Sequence, residues 1–141
     1  MPKAQVLAII SENLDAVDPG SASVPQDTAK VQEYGCDTAF PSALPQGPPW
    51  WYKVQRRHSG VTDEQIQQRR DAVLTLAGRG FEVLARPASR NGDDPRDVVL
   101  RDSRGFQVSM SVSPSPDGSV TQVEITSSSP CVRHSGEDGP H

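Results

Sequence analysis

The residues with chemical capacity in this chain gather between Trp50 and Gly60, where the sequence runs WWYKVQRRHSG. A tryptophan beside several cations offers a flat apolar surface next to positive charge, a combination that can hold a small ligand. Trp51, Lys53, Arg56, Arg57 and His58 are therefore the candidate ligand-binding residues. His58 also closes the run Arg56-Arg57-His58 directly before a helix start, where outward-pointing backbone N–H groups can receive an anion. The preferred reading of the same residues is the plainer one, a solvated strand-to-helix connection with surface arginines. The tryptophan likewise reads as a ring half covered by the proline-rich segment before it.

Catalytic machinery has no comparable signal. His58, His134 and His141 are the only histidines, and none stands beside a nucleophile and a carboxylate at suggestive spacing. No nucleophile elbow, phosphate-binding loop, GxGxxG or HExxH run is present, so no catalytic residue is assigned. Asp93 and Asp94 match no calcium-loop spacing and read as a solvated acidic turn. Neither a cofactor nor a metal is expected.

Cys36 and Cys131 flank the expected core in segments poor in regular structure, and a disulfide is the economical reading. Closing so long a loop would stabilise by about 4 to 5 kcal/mol in the chain-entropy model. Without a CxxC motif the bond would be structural. The alternative is a pair of reduced thiols in a cytosolic adaptor.

The element that must position these residues is an amphipathic helix from Val61 to Gly80. Thr62 and Gln65 stand at capping-box spacing, Val61 and Ile66 at staple spacing, and Asp63 and Glu64 suit the positive helix end. Ile66, Val73, Leu74, Leu76 and Ala77 form its apolar stripe, and Gly78 or Gly80 ends it. A strand from Phe81 to Arg86 follows, with Phe81, Val83 and Ala85 on one face. Upstream, Val6, Leu7, Ile10, Leu14 and Val17 predict a helix from Ala4 to Val17, stopped by Asp18-Pro19-Gly20. Ser21 to Pro49 reads as proline-rich coil, and Trp50 to Arg57 as the first strand, with one tryptophan in the core.

Turn residues then alternate with strands. Ala88 to Pro95, centred on Asn91-Gly92, predicts an exposed hairpin loop, and Asp97 to Arg101 a strand. Phe106, Val108, Met110 and Val112 alternate with Gln107, Ser109, Ser111 and Ser113, and Val123 and Ile125 mark the last strand. The expected fold is α+β, a two-layer sandwich of an antiparallel sheet of about five strands with two helices on one face. The other sheet face stays polar or is shared with a partner. The expected division is residues 1–49 for the N-terminal helix and coil, 50–132 for the core and 133–141 for a polar tail.

Composition bounds the function. With 13 prolines, 11 glycines and 34% apolar residues among 141, the chain has one moderate core and long irregular stretches. The net charge is -4, and only residues 50–104 are mildly basic, with their arginines interleaved with acids. No nucleic-acid partner is expected. The apolar cluster Val6 to Ile10 is too short to cross a bilayer, and Glu12 and Asp15 after it do not suit a leader.

Three lysines against eleven arginines, Gly35-Cys36-Asp37 after an N-terminal helix, and a last strand ending Ile-Thr-Ser-Ser-Ser-Pro-Cys at Cys131 resemble the ectodomains of small lipoproteins exported by actinobacteria. The resemblance spans residues 4 to 132. It implies an exported domain of the cell envelope or extracellular space, touching the membrane only through a lipid anchor outside this sequence. The expectation is a monomeric, non-catalytic domain that binds an envelope protein or small ligand through the polar sheet face or the Trp50-to-His58 strand. The competing readings are a hydrolase using His58 and the cytosolic adaptor.

Overall fold

The computed structural model of the chain describes residues 2–18, 31–37, 46–84 and 94–134. Helix α1 (Lys3–Val17) buries Val6, Ile10, Leu14 and Val17, the three- and four-residue steps of one helix face. Strand β1 (Gln32–Asp37) precedes β2 (Gln46–Ser59) and α2 (Asp63–Leu74). A 3-10 turn (Thr75–Arg79) then leads to β3 (Phe81–Val83), β4 (Val98–Asp102), β5 (Gln107–Pro114) and β6 (Thr121–Ser128). Among the described residues, no helix is long and apolar enough to cross a membrane.

The sheet has six strands in the order β1-β2-β6-β5-β4-β3, every neighbouring pair antiparallel. The α+β two-layer sandwich is therefore the observed fold, with one strand more than expected. β3 to β6 form a meander, and β2 pairs with the far side of β6 rather than with β3, so α2 carries the chain across the sheet between its two halves. α1 packs on β2 and β6, and α2 on β5.

The additional strand is β1, which lies where coil was expected. Its sequence QEYGCD has no apolar alternation of its own, so its pairing is supplied by its partner. Gln32 pairs with Lys53, Tyr34 with Trp51 and Gly35 with Trp50, and the register shifts before Asp37 meets Gln46. Pro48 and Pro49 of β2, joined by a cis peptide bond, fall in that interrupted stretch. Having no N–H, they cannot donate to the ladder there. β2 thus begins four residues before the expected start at Trp50.

The α2 start follows its sequence signals. Gln65 N–H donates to Thr62 Oγ1 at 3.1 Å, and the Gln65 side chain accepts from Thr62 N–H at 2.9 Å. Ile66, Val73 and Leu76 are buried and Leu74 is half-buried, but Ala77 is exposed. The helix tightens from Thr75 onward, and the change from 3.6 to 3.0 residues per turn rotates Ala77 off the apolar stripe. Gly80, at φ +90°, supplies the left-handed residue.

β3 is shorter than expected. Phe81 is buried, while Val83 is 48% exposed because it belongs to an edge strand of three residues. Neither tryptophan is fully buried: Trp50 is half-buried against the core, and Tyr52 and Val54 are the β2 residues inside it. Phe106, Val108, Met110 and Val112 are buried, as are Val123 and Ile125. The same alternation carries Ser127 inward, fully buried between Val54 and Val108. The readings of Pro19-Gly20, Pro25, Pro41, Pro45, Ala85, Arg86, the Asn91-Gly92 turn, Asp93 and His141 lie outside the described residues.

Cys36 and Cys131 form a disulfide with Cα atoms 6.3 Å apart. Beside it, Trp50 and Val132 exchange backbone hydrogen bonds at 2.7 and 2.8 Å, so β2 is fastened to the segment after β6 as β1 is by the disulfide.

Candidate functional site

Successive strand residues face opposite sides of a sheet, and this separates the five candidate residues. Arg56 and His58 share the inner face with Tyr52 and Val54, whereas Trp51, Lys53 and Arg57 share the outer face with Gln55. The five therefore form two sites rather than one.

The inner group is an ion cluster at the joint of the two layers. Asp18, at the end of α1, is only 2% exposed. Its Oδ1 accepts from Arg69 Nη1 of α2 at 2.7 Å, and its Oδ2 lies 2.8 Å from His58 Nε2 of β2. Arg56 Nη1 donates to the Asp18 carbonyl oxygen at 2.8 Å, and Arg56 Nη2 to Asp15 Oδ1 at 2.7 Å. The Arg56 and His58 side chains are 9% and 23% exposed. The carboxylate at the end of α1 so ties that helix to α2 through Arg69 and to β2 through His58, with charge-assisted bonds.

The outer group belongs to an open polar face. Lys53 stands opposite Ser128, Gln55 opposite Thr126 and Arg57 opposite Glu124, while Gln107, Ser109 and Ser111 of β5 continue the rows. Arg57 Nη2 pairs with Glu124 at 2.8 Å. Trp51 stacks on Tyr34 of β1, with ring centroids 4.5 Å apart and planes 19° from parallel. Lys53 Nζ lies 5.5 Å from the centre of that tyrosine ring.

At the Trp51 end of this face an open groove of about 530 Å³ is lined by Trp51, Arg101, Gly105, Gln107, Ser128 and Pro130. A second, of about 480 Å³, runs past Glu82, Asp102 and Arg104 and shares Arg101 and Gly105 with the first. Together they form a trough across the strand ends from β2 to β3. A Cβ on Gly105, at φ +94°, would stand 3.0 Å from Pro130 Cβ, so the trough floor is bare backbone there. Arg101 was read in sequence only as a strand residue. Its place beside the groove follows from the β4–β5–β6 register, which sets Arg101 against Gln107 and Gln107 against Ser128.

The remaining electrostatics brace turns. Hydrogen bonding from Arg96 holds the Asp94 carboxyl below the usual carboxylate range, and Arg96 also reaches Asp63 at 3.1 Å, joining the entry of β4 to the first turn of α2. The Ser115 hydroxyl, then the Ser119 hydroxyl and N–H, lower Asp117 to about 2. Among the described residues, no group of three or more His, Cys, Asp or Glu could hold a metal ion. Compared with known proteins, the chain matches no family model, no curated protein and no solved structure.

Proposed function

We propose that this protein is a non-catalytic, exported domain that binds a partner or ligand through the open face of its sheet. The observation that carries the reading is the contrast between the two faces. Both helices cover one, while the other presents rows of serine, threonine and glutamine and ends in a trough beside Trp51. Antiparallel sheets commonly leave one face to solvent, but here that face also holds a stacked aromatic pair next to a concave surface, where ligands tend to sit. The Cys36–Cys131 disulfide supports an oxidising location, the cell envelope or the extracellular space. A lipid anchor on a longer precursor is part of the same proposal, carried by the resemblance to exported lipoproteins.

Photo-crosslinking in the native host's envelope fraction tests the binding face. A benzophenone side chain at exposed Ser111 should give adducts that the same group at Gln68, exposed on α2, does not. Equal adducts from both positions would overturn the reading. Export is tested separately by mass spectrometry without reductant, where two free thiols in freshly prepared native-host protein would contradict it.

One observation favours a second reading. The Asp18 carboxylate next to His58 is the acid–imidazole half of a hydrolytic site. Ester hydrolysis by the purified chain that disappears in His58→Gln would establish it, and equal rates in the two proteins would remove it.

A further inference from the structure

We propose that the groove beside Trp51 binds an anionic oligosaccharide of the uronic-acid type, with a sugar ring laid against Trp51 and a carboxylate held by Arg101. This deepens the open-face reading and rests on it.

Arg101 is exposed, and its guanidinium has no ion-pair or hydrogen-bond partner among the described residues. The other arginines of the described sheet, Arg56 and Arg57, each hold a carboxylate of this chain, and Arg70 and Arg79, which do not, lie on the helix and 3-10 turn away from the groove. A guanidinium presents a planar fork that matches a carboxylate in two parallel hydrogen bonds. Glu82 is the cross-strand neighbour of Arg101, yet no ion pair joins them. The Trp51 groove is lined by an arginine and by no acid, in a chain whose net charge is -4. Its local charge therefore selects an anion against the sign of the whole protein.

Trp51 supplies the second half of the recognition. Tyr34 stacks on one face of the indole, and Trp51 still lines the groove. A rigid aromatic surface stacks on the C–H face of a sugar at little entropic cost, as aromatic platforms do in other ligand sites. Between Trp51 and Arg101 lie Gln107 and Ser128, cross-strand neighbours whose short donor and acceptor groups suit hydroxyls. Lys53, Ser128, Gln107 and Arg101 form one straight row over four strands, roughly 14 Å at the usual strand spacing. That length fits a short oligosaccharide rather than a single ring.

The test uses the whole chain, with calorimetry and backbone amide shifts, against three probes: trigalacturonate, its uncharged methyl ester, and a tripeptide with a free C-terminal carboxylate. Trigalacturonate should bind at physiological salt and shift the amides of Gln107 and Ser128, and the ester should bind at least about tenfold more weakly. Arg101→Gln and Trp51→Ala should each weaken trigalacturonate by about tenfold or more, while Arg70→Gln on the helix layer should bind as the parent does. Thermal melts verify that the variants are folded, and exposed Arg101 keeps the test valid should Trp51→Ala loosen β1. Equal binding of acid and ester overturns the anionic class. A tripeptide that shifts the groove when trigalacturonate does not overturns the saccharide class and leaves open-face binding standing. If none of the three shifts the groove, the proposal fails, and the Ser111 crosslinks then decide the open-face reading by themselves.

Discussion

Arg69 Nη1 lies 2.7 Å from Oδ1 of Asp18, a contact that joins helix α2 to the end of helix α1 over the top of the sheet. Removing one member of a buried ion pair leaves the other uncompensated, which costs more than the pair itself contributes. Asp18→Asn should therefore destabilise the fold by about 3 kcal/mol, read as a lower denaturant midpoint. Arg57→Gln, which breaks an exposed pair with Glu124 on the other sheet face, should change stability by at most about 1 kcal/mol. Comparable losses in the two variants would show that the Asp18 cluster is no more than a surface network.

The two layers meet where α2 lies against β5, so shortening either surface should cost a similar amount. Val73→Ala and Val108→Ala should each destabilise by on the order of 1 to 3 kcal/mol through lost burial and a residual cavity. Ser109→Ala, on the open face, should stay within about 0.5 kcal/mol. A Ser109→Ala loss as large as that of Val108→Ala would mean that the serine face is covered.

Ser127 gives a prediction of opposite sign. Its Oγ is fully buried among apolar neighbours and has no hydrogen-bond partner among the described residues. An unmade buried hydrogen bond carries a desolvation cost of about 1 to 3 kcal/mol, so Ser127→Ala should leave stability unchanged or raise it. A clear loss in urea melts would reveal a partner for this hydroxyl.

How far this architecture was legible depended on where the information was stored. Alternation along β5 and the Thr62–Gln65 cap are local patterns, and both read directly. β1 was missed because its place is set by pairing with β2, which leaves no alternation in QEYGCD, and Cys36 marks a bond to Cys131 without marking a strand. Ala77 was misplaced because the 3-10 turn has a different period from the helix it continues. For the candidate site, Trp51 and Arg56 were visible as residue types. Their assignment to opposite faces follows from the two-residue period of β2, and Arg101 joins Trp51 only through the pairing of four strands, a relation between distant segments.

The β5–β6 turn makes a pH prediction. Asp117, lowered to about 2 by the Ser115 and Ser119 hydrogen bonds, binds a proton less readily when folded than its ordinary value of 3.8 allows. The sign follows from linkage: the contribution is complete above about pH 4 and is lost as pH falls toward 2. A carboxyl titration by NMR should place the Asp117 midpoint near 2, and Asp117→Asn should abolish the accompanying amide shift of Ser119. A midpoint at the ordinary value would show that the turn does not hold the carboxylate.

The disulfide can be tested with Cys36→Ser/Cys131→Ser. Its loop separation of 95 residues corresponds to about 4 to 5 kcal/mol in the chain-entropy model. The double variant should lose stability on that order, and β1 amides should exchange faster than those of β5. Equal protection of both strands would mean that pairing with β2 alone holds the edge.

The insertion of β6 between β2 and β5 also dictates when this protein can take shape. Lys53 of β2 finds its partner at Ser128, so synthesis must reach β6 before the middle of the sheet can close. Until then β2 has an unpaired side and the meander an open edge, both able to pair with the wrong chain. Such long-range closure slows folding, and a product shortened before Thr121 would lack the strand on which both halves meet. Emergence of β6, rather than of the first helix, is therefore the event after which the native sheet can assemble.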